Sequence, residues 1–218
     1  MFVLRRAHGT IAIGAIDAFM KSDRPHPDET ALASTFGGVR KDAWLGGRAA
    51  VRVALAAHGA EWTGPILSTT RGAPRVGPTL RASISHKGPA VVALVASNCE
   101  MGHVGIDLEE TLPLRIDISR KVLTADELTR LPEEPVARDA MVRTVFSIKE
   151  AVYKAIDPFV GRYIGFHEVT LLTSQPLAHA LETSVVLRTG EAFIVESTWE
   201  TLDHVPGYTL ATARARRA

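Results

Sequence analysis

Apolar residues recur every three to four positions in two stretches of the chain, which is the spacing of one buried helix face. The first stretch runs from about Lys41 to His58, and Gly59 is typical of a helix end. The second includes residues 144–156, and Pro158 is expected to stop it. Both stretches are therefore predicted to be helices that pack one side against a core.

Shorter apolar runs bounded by turn residues predict strands. Residues 83–86 and 91–96 are predicted to form a hairpin around residues 87–89. The alternation and turn residues of the C-terminal part favour an antiparallel sheet over repeated strand–helix–strand units. Its predicted strands lie at residues 168–172, 184–188, 192–199 and 208–213.

Two other segments carry local signals. Thr124 to Glu127 has the sequence of a capping box, so a short helix is predicted to begin there. Residues 20–38 contain prolines and a pair of glycines, and they are predicted to be a connection with little helix.

Composition and charge limit the class of protein. The 218 residues, 46% of them hydrophobic, suffice for one sizeable core or two small packed halves. A net charge of +1 gives no general attraction to nucleic acid or to anionic membranes. Cys99 is the only cysteine, so no internal disulfide is possible, and no apolar run approaches the roughly 20 residues that span a bilayer. We therefore expect a soluble cytoplasmic protein with no nucleic-acid or membrane partner.

Several arginines of the first half need an explanation. Arg48 and Arg52 lie within the apolar arc of the first predicted helix. Because burying an unpaired charge is costly, each needs a partner. An ion pair with a core carboxylate and a contact to a phosphate, which suits the planar guanidinium, are about equally good interpretations. Arg71 and Arg75 follow in a turn-rich loop.

Residues 104–109 read V-G-I-D-L-E and are predicted to form a strand. Side chains alternate along a strand, so Asp107 and Glu109 share one face. Two adjacent carboxylates repel each other unless water or a hard cation accommodates them. An exposed acidic face and a magnesium site are both open interpretations at this point.

The second predicted helix places Glu150 and Lys154 one turn apart, opposite its apolar face. Taken alone, an exposed Glu–Lys pair contributes only a few tenths of a kcal/mol and needs no function. Ser85 and His86 are predicted to lie at the mouth of the hairpin. No second histidine at metal-ligand spacing and no Gly-x-Ser-x-Gly sequence accompanies them, so zinc and serine-hydrolase chemistry are poor explanations.

Taken in order, these motifs resemble the 4′-phosphopantetheinyl transferases of the larger, monomeric Sfp/EntD-type class. Each motif is weak alone, but their order and spacing are specific. Residues 157–166 also look like the family's continuation of the second helix, whereas residues 1–38 match nothing in it. The matching sequences are G-R at residues 47–48, S-I-S-H at 83–86, G-I-D-L-E at 105–109 and F-S-I-K-E-A-V-Y-K-A at 146–155.

The resemblance implies an α+β fold with mainly antiparallel sheets. Two similar halves would be related by a pseudo-twofold axis, with the active site in the cleft between them. Residues 1–102 would form the N-terminal half, which contacts the nucleotide and phosphates of coenzyme A. Residues 103–218 would form the C-terminal half, with the magnesium site and the carrier-docking surface. The protein is expected to be a monomer.

The resemblance also implies roles for individual residues. Asp107, Glu109 and Glu150 would bind Mg²⁺, with Mn²⁺ as an alternative metal, and Glu150 and Lys154 would be catalytic. The family usually has Gly-Lys-Pro where this chain has residues 72–74, Gly-Ala-Pro, so Arg71 or Arg75 would replace the missing lysine. The residues expected to contact coenzyme A are Arg40, Arg48, Arg71, Arg75, Ser85, His86, Lys149 and Lys154.

The activity implied is the transfer of 4′-phosphopantetheine from coenzyme A to a serine of an apo acyl or peptidyl carrier protein, with release of 3′,5′-ADP. Glu150 or a water on the metal would take the serine proton. An acidic carrier would dock along residues 110–130, through Arg115, Arg120 and Lys121. Two alternatives use the same residues, namely a magnesium-dependent phosphohydrolase of nucleotide pyrophosphates and a non-catalytic binder of an acidic partner.

Overall fold

The structure is a computed structural model that describes residues 1–97, 102–171 and 177–218. The chain divides into two compact units, Met1–Cys99 and Glu100–Ala218. Each unit combines helices with one four-stranded antiparallel sheet, which confirms the predicted α+β class. The pseudo-twofold axis and the cleft between halves stay predictions. Among the described residues, no helix is both long and apolar enough to cross a bilayer.

The first unit places its long helix between two pairs of strands in the sequence. Its sheet has the order β1-β2-β4-β3, and all neighbouring strands are antiparallel. The elements are β1 (Phe2–Arg6), β2 (Gly9–Ala15), α1 (Ile16–Ser22), α2 (Pro27–Ala33), α3 (Gly38–His58), β3 (Leu80–Lys87) and β4 (Ala90–Ser97).

Helix α3 packs against β4 and β2 through a face of small residues that includes Ala50 and Ala54. Gly59 ends the helix with φ 81°, a left-handed conformation that glycine adopts without a steric penalty. This end and the β3–β4 hairpin agree with the sequence prediction. Residues 20–38 do not, because they contain the end of α1 and all of α2 rather than a helix-poor connection.

The second unit has the sheet order β5-β8-β7-β6, again antiparallel throughout. Its long helix lies on this sheet, mainly over β5 and β8. The elements are β5 (His103–Glu110), α4 (Ser119–Val122), α5 (Ala125–Thr129), α6 (Pro135–Val160), β6 (Ala180–Val186), β7 (Ala192–Thr201) and β8 (Tyr208–Arg217).

Helix α6 begins where Glu134 caps it, since the Glu134 carboxylate accepts the N–H groups of residues 136 and 137. Its predicted apolar face is buried, with Val145, Ile148 and Val152 fully inaccessible. The prediction that Pro158 stops the helix is wrong, because the helix continues to Val160. A proline this close to the C-terminal end costs the helix one hydrogen bond, which the packing of α6 outweighs.

The predicted strand at residues 168–172 is also wrong in its described part. Residues Phe166–Glu168 form a short 3-10 helix, and residues 169–171 belong to no strand. Leu172 lies outside the described residues, as does Cys99. The short turn is fixed by Glu168, whose carboxylate accepts the Gly165 N–H at 3.0 Å and pairs with Arg162 at 3.0 Å.

In the first unit a buried glutamate connects α2 to α3. Glu29 has no exposed surface, and its Oε2 accepts the N–H of His26, the residue that caps α2. Glu29 also accepts the Ile66 N–H at 2.6 Å through Oε1 and pairs with Arg52 of α3 through Oε2. Asp23 contacts the other side of the Arg52 guanidinium at 2.7 Å. This junction fixes where α3 lies.

The second unit contains a junction of the same kind. Thr124 caps α5 as predicted, and Glu127 completes the capping box. Glu127 is also fully buried; its Oε1 accepts the Leu171 N–H at 2.7 Å, and its Oε2 pairs with Lys149 of α6 at 2.6 Å. The attraction of Lys149 and the hydrogen bond from Leu171 outweigh the cost of burial and lower the pKa of Glu127.

Candidate active site

One face of α6 lies against β5 and carries polar residues at helical spacing. Ser147, Glu150 and Lys154 follow each other at intervals of three and four residues, so they lie along the same side of the helix. Gly105 of β5 allows the close approach, because a Cβ at this position would lie 1.9 Å from the backbone oxygen of Ala151. The backbones of the helix and the strand can therefore approach this closely because residue 105 has no side chain.

Asp107 lies in the middle of this contact and is 4% exposed. The Ser147 hydroxyl donates to its Oδ2 at 3.0 Å. The Lys154 ammonium donates to its Oδ1 at 2.8 Å and to the Ile106 carbonyl at 2.9 Å. Both oxygens of the Asp107 carboxylate thus have a partner from α6.

Glu150 shares the electrostatic environment of the two strand carboxylates. Burial raises its pKa; Lys154 opposes the rise, and the negative charges of Asp107 and Glu109 add to it. The structure therefore brings Asp107 and Glu109 of β5 near Glu150 and Lys154 of α6.

This donor set suits a hard divalent cation. Carboxylate oxygens are the ligands that Mg²⁺ prefers, and Mg²⁺ usually takes only one or two of them together with water and phosphate oxygens. In the part of the chain that the structure describes, no three His, Cys, Asp or Glu side chains are arranged as a ready metal site. The metal role of Asp107, Glu109 and Glu150 thus fits by chemistry and stays a prediction.

The expectation that Lys149 contacts a phosphate needs correction. Its side chain points to the interior, and the residue is only 2% exposed. The three donors of its ammonium are used by Glu127, the Val122 carbonyl at 2.9 Å and the Phe166 carbonyl at 3.1 Å. Lys149 therefore holds α4, α5 and the Phe166–Glu168 turn onto α6 and is not available to a ligand.

The two arginines of α3 have different partners. Arg52 pairs with Glu29 and Asp23, so the core-carboxylate interpretation is right for this residue. Arg48 donates to the Ile66 carbonyl at 3.2 Å and to the Ser68 hydroxyl at 2.7 Å. Burial lowers the pKa of the Arg48 guanidinium to about 10, so it stays charged at neutral pH.

Aromatic rings support the cations in the N-terminal part of α3. The Arg48 guanidinium lies 3.8 Å from the Trp44 ring centre, and that of Arg40 lies 4.6 Å from the ring centre of Phe36. The two rings contact each other edge to face at 5.8 Å. Arg40 and Arg48 are therefore held by cation–π contacts.

The loop that follows is a tight turn organised by Thr69. The Thr69 N–H donates to the Ala73 carbonyl at 2.8 Å, and its hydroxyl accepts the Ala73 N–H at 3.1 Å. Arg71 lies at the exposed tip, and Arg75 is exposed at its base. Because the neighbouring Ser68 hydroxyl accepts from Arg48, the structure brings Arg48 and this loop together.

Ser85 and His86 lie near the end of β3, close to the hairpin turn, as predicted. Ser85 is buried and His86 is exposed, on opposite faces of the strand. His86 shares its face with Ile84, which packs into the core beneath α3. The predicted site residues therefore fall into two groups, Arg40 to His86 in the first unit and Asp107 to Lys154 in the second.

Sequence comparisons match both units. A profile of the 4′-phosphopantetheinyl transferase superfamily matches residues 103–213, and one of the 4′-phosphopantetheinyl transferase N-terminal domain matches residues 28–96. The chain belongs to the 4′-phosphopantetheinyl transferase superfamily. It is 31% identical over 147 residues to the 4′-phosphopantetheinyl transferase Npt of Nocardia iowensis, an alignment that covers 66% of this chain and 64% of that protein. The match thus spans just under two thirds of this curated relative.

The contacts in the structure identify three further residues that the sequence analysis missed. Ser147 is fully buried and is a direct partner of Asp107. The sequence could have indicated Ser147, because it lies three residues before Glu150 in the F-S-I-K-E motif and therefore on the same side of the helix. Ser68, a partner of Arg48, gave no comparable signal because it is 20 residues away in sequence. Trp44 lies four residues before Arg48 on α3, a spacing that could have indicated their contact.

Proposed function

We propose that the protein transfers the 4′-phosphopantetheine group of coenzyme A to a serine of an apo acyl or peptidyl carrier protein and releases 3′,5′-ADP. The observation that carries the proposal is the face of α6 set against β5, where Glu150 and Lys154 meet Asp107 and Glu109 in a unit that matches the superfamily profile. Phosphoryl transfer from a pyrophosphate commonly uses carboxylates that hold a metal ion and a lysine that binds phosphate oxygens.

Each group has a proposed task. Asp107, Glu109 and Glu150 would hold Mg²⁺, or Mn²⁺ in its place, which would offset negative charge on the pyrophosphate. Lys154 would bind a phosphate oxygen. The cations and polar side chains of the first unit would bind the nucleotide end and its 3′-phosphate, through Arg40, Arg48, Arg71, Arg75, Ser85 and His86.

The reaction balances as a single displacement. The carrier serine oxygen forms a bond to the β-phosphorus of coenzyme A, and the bond between that phosphorus and the oxygen of the departing 3′,5′-ADP breaks. The proton of the serine hydroxyl goes to Glu150, which must come within hydrogen-bond reach directly or through one water.

Incubation with coenzyme A, Mg²⁺ and an apo-carrier tests this function. The transferase adds one phosphopantetheine to the carrier serine, which intact-protein and peptide mass spectrometry detect. A phosphohydrolase would release nucleotide without a carrier, and a non-catalytic binder would do neither. Carrier that stays unmodified across a panel of fatty-acid, polyketide and nonribosomal-peptide carriers would contradict the proposal.

A further inference from the structure

Two of the side chains that contact the Asp107 carboxylate, Ser147 and Lys154, differ in exposure. Ser147 holds Oδ2 from within the core and has no exposed surface. Lys154 holds Oδ1, and about a quarter of its side chain, 26%, is exposed. Ser147 is therefore a permanent partner, whereas Lys154 can swing into solvent on its flexible stem.

The Lys154 ammonium lies where its charge would oppose a divalent cation on Asp107. It lies 2.8 Å from Asp107 Oδ1 and also contacts the Ile106 carbonyl. An ammonium at hydrogen-bond distance from Oδ1 weakens the binding of a metal at that oxygen, since both are cations and repel each other. Oδ2 also carries a hydrogen bond, from the Ser147 hydroxyl.

We propose that Lys154 is an internal counter-ion that competes with the divalent cation for Asp107 Oδ1, and that a pyrophosphate opens the site by drawing Lys154 away. The inference rests on the proposed function for the identity of the pyrophosphate, that of coenzyme A. Metal and coenzyme A binding are then positively coupled, because each favours the state in which Lys154 has left Asp107. Such coupling is reciprocal, so coenzyme A tightens the metal by the same factor as the metal tightens coenzyme A.

The test measures binding of Mn²⁺ alone to the full chain, with free Mn²⁺ followed by electron paramagnetic resonance. Lys154→Met keeps the aliphatic stem and removes the charge. It is expected to bind Mn²⁺ roughly tenfold more tightly than the wild type, a modest share of what Coulomb's law allows for unit charges this close. Lys154→Arg keeps a cation and is expected to stay near the wild-type affinity.

Lys21→Met is the matched control. Lys21 forms an ion pair with Asp17 at 3.3 Å, so this variant also removes one paired lysine, at an exposed place in the first unit. It should leave Mn²⁺ affinity unchanged. Asp107→Asn combined with Lys154→Met should abolish the gain, which locates the gain at Asp107. Circular dichroism melts of each variant verify folding.

Coenzyme A should respond in the opposite direction. Lys154→Met loses a phosphate contact, so calorimetry is expected to show coenzyme A affinity reduced severalfold while Mn²⁺ affinity rises. The Mn²⁺ gain that coenzyme A gives the wild type should also shrink in this variant. Loss of a merely structural lysine would not change two affinities in opposite directions.

Lys154→Met binding Mn²⁺ no more tightly than the wild type would overturn the inference, as would an equal gain in Lys21→Met. Absence of Mn²⁺ binding by both wild type and Lys154→Met at millimolar concentrations would do so too. The carrier assay distinguishes this outcome from failure of the proposed function. If Lys154→Met binds Mn²⁺ more tightly but the wild type does not modify a carrier, the competition is supported and the transferase proposal is contradicted. If the wild type modifies a carrier but Lys154→Met binds Mn²⁺ no more tightly, the transferase proposal is supported and the competition is contradicted.

Discussion

The two units hold their long helices with the same arrangement and put different residues beside them. In each unit, a fully buried glutamate is the third residue of a short helix. It accepts the N–H of the residue that caps that helix and a distant backbone N–H, and it forms an ion pair with a cation of the long helix. The first unit uses Glu29 with Arg52, and the second uses Glu127 with Lys149. The repeat lies in contacts rather than in letters, which is why the sequence shows no internal repeat.

The strands beneath the two helices differ. β2 presents small residues toward α3, with Ala12 in the core cluster beneath it. β5 presents Asp107 to α6, followed by Glu109. The comparison indicates that the buried glutamate builds the scaffold in both units, while the carboxylates proposed to hold the metal lie in the second unit alone. The predictions below separate the two contributions.

The largest effect is expected at Glu150. Glu150→Gln keeps the shape and removes the charge, so kcat should fall by about 10²–10⁴-fold, the usual cost of losing a general base. The melting temperature should barely change, because Glu150 forms no hydrogen bond or ion pair that holds the scaffold in the part of the chain that the structure describes. Steady-state kinetics of carrier modification and a thermal melt measure both quantities.

Glu133→Gln is the control for this prediction, since Glu133 is exposed just before the cap of α6. It should leave kcat and stability unchanged. Near-normal carrier modification by Glu150→Gln would overturn the assignment of this site.

The next largest effect is a loss of unfolding free energy, and it should differ between the two buried glutamates. Glu127→Gln leaves the Lys149 charge buried without its counter-ion and should cost about 3–5 kcal/mol in unfolding free energy. Glu29→Gln should cost less, about 1–3 kcal/mol, because Arg52 keeps Asp23 as a partner and is 19% exposed. Urea unfolding followed by circular dichroism gives both values.

Removing the cation as well provides the control. The double variant Glu127→Gln/Lys149→Met should lose less unfolding free energy than the two single variants lose in total, since no buried charge is then left unpaired. Equal costs at Glu29 and Glu127 would contradict the proposed difference between the units.

A smaller effect is expected at Glu168, which fixes the short turn after α6 in the second unit. The Arg162 hydrogen bond, opposed by burial and assisted by the N–H groups of Gly165 and Arg188, lowers the pKa of Glu168 to about 2. A lowered folded-state pKa stabilises the protein above the ordinary value of 4.5, and this stabilisation is lost as the pH falls toward 2. Glu168→Gln should therefore cost about 1–2 kcal/mol at pH 7, discounted because Arg162 is partly exposed.

Unfolding measured from pH 7 to pH 2 tests this sign. The stability difference between wild type and Glu168→Gln should be constant above about pH 5 and shrink below it. A difference that grows on acidification would contradict the role of the Arg162 pair.

The smallest effect is expected where the carrier is proposed to dock. Arg143 donates to the Leu112 carbonyl at 2.8 Å, and Asp139 accepts the Leu114 N–H at 3.1 Å, so this segment is fixed on α6. Reversing the charges of Arg120 and Lys121, which are exposed nearby in sequence, should raise the KM for an acidic carrier severalfold, because mutated rim charges mainly slow association.

Coenzyme A affinity should not change in that double variant, and the effect on KM should fade at high salt. The same reversal at two exposed arginines of the C-terminal end, Arg216 and Arg217, is the control. An unchanged carrier KM would remove the docking proposal.

The sequence predicted those parts of the fold in which a regular apolar spacing continues over many residues or a strong local signal is present. Gly59 and the capping box at Thr124 were enough to place a helix end and a helix start. The helices α1 and α2 have seven residues each, too few for a helical period to stand out. Pro27 at the first position of α2 was a start signal, obscured because His26 is an unusual cap.

The site was predictable to the extent that its residues carry charge in an alternating or helical pattern. Asp107, Glu150 and Lys154 were found in this way. Lys149 was misplaced because it is adjacent to Glu150 in the motif, while a turn of about 100° directs it to the other side of α6. Its partner Glu127 is 22 residues away in sequence, a contact that no local pattern reveals.

Gly105 has a consequence for protein design. Its missing side chain sets the distance between β5 and α6, since even one methyl group would meet the Ala151 carbonyl. A designer who grafts the acidic residues onto another sheet and helix must therefore copy this gap as well. A graft would need residues 105–109 together with residues 147–154. Position 105 would have to stay a glycine, because the Ala151 carbonyl leaves no room for a side chain there.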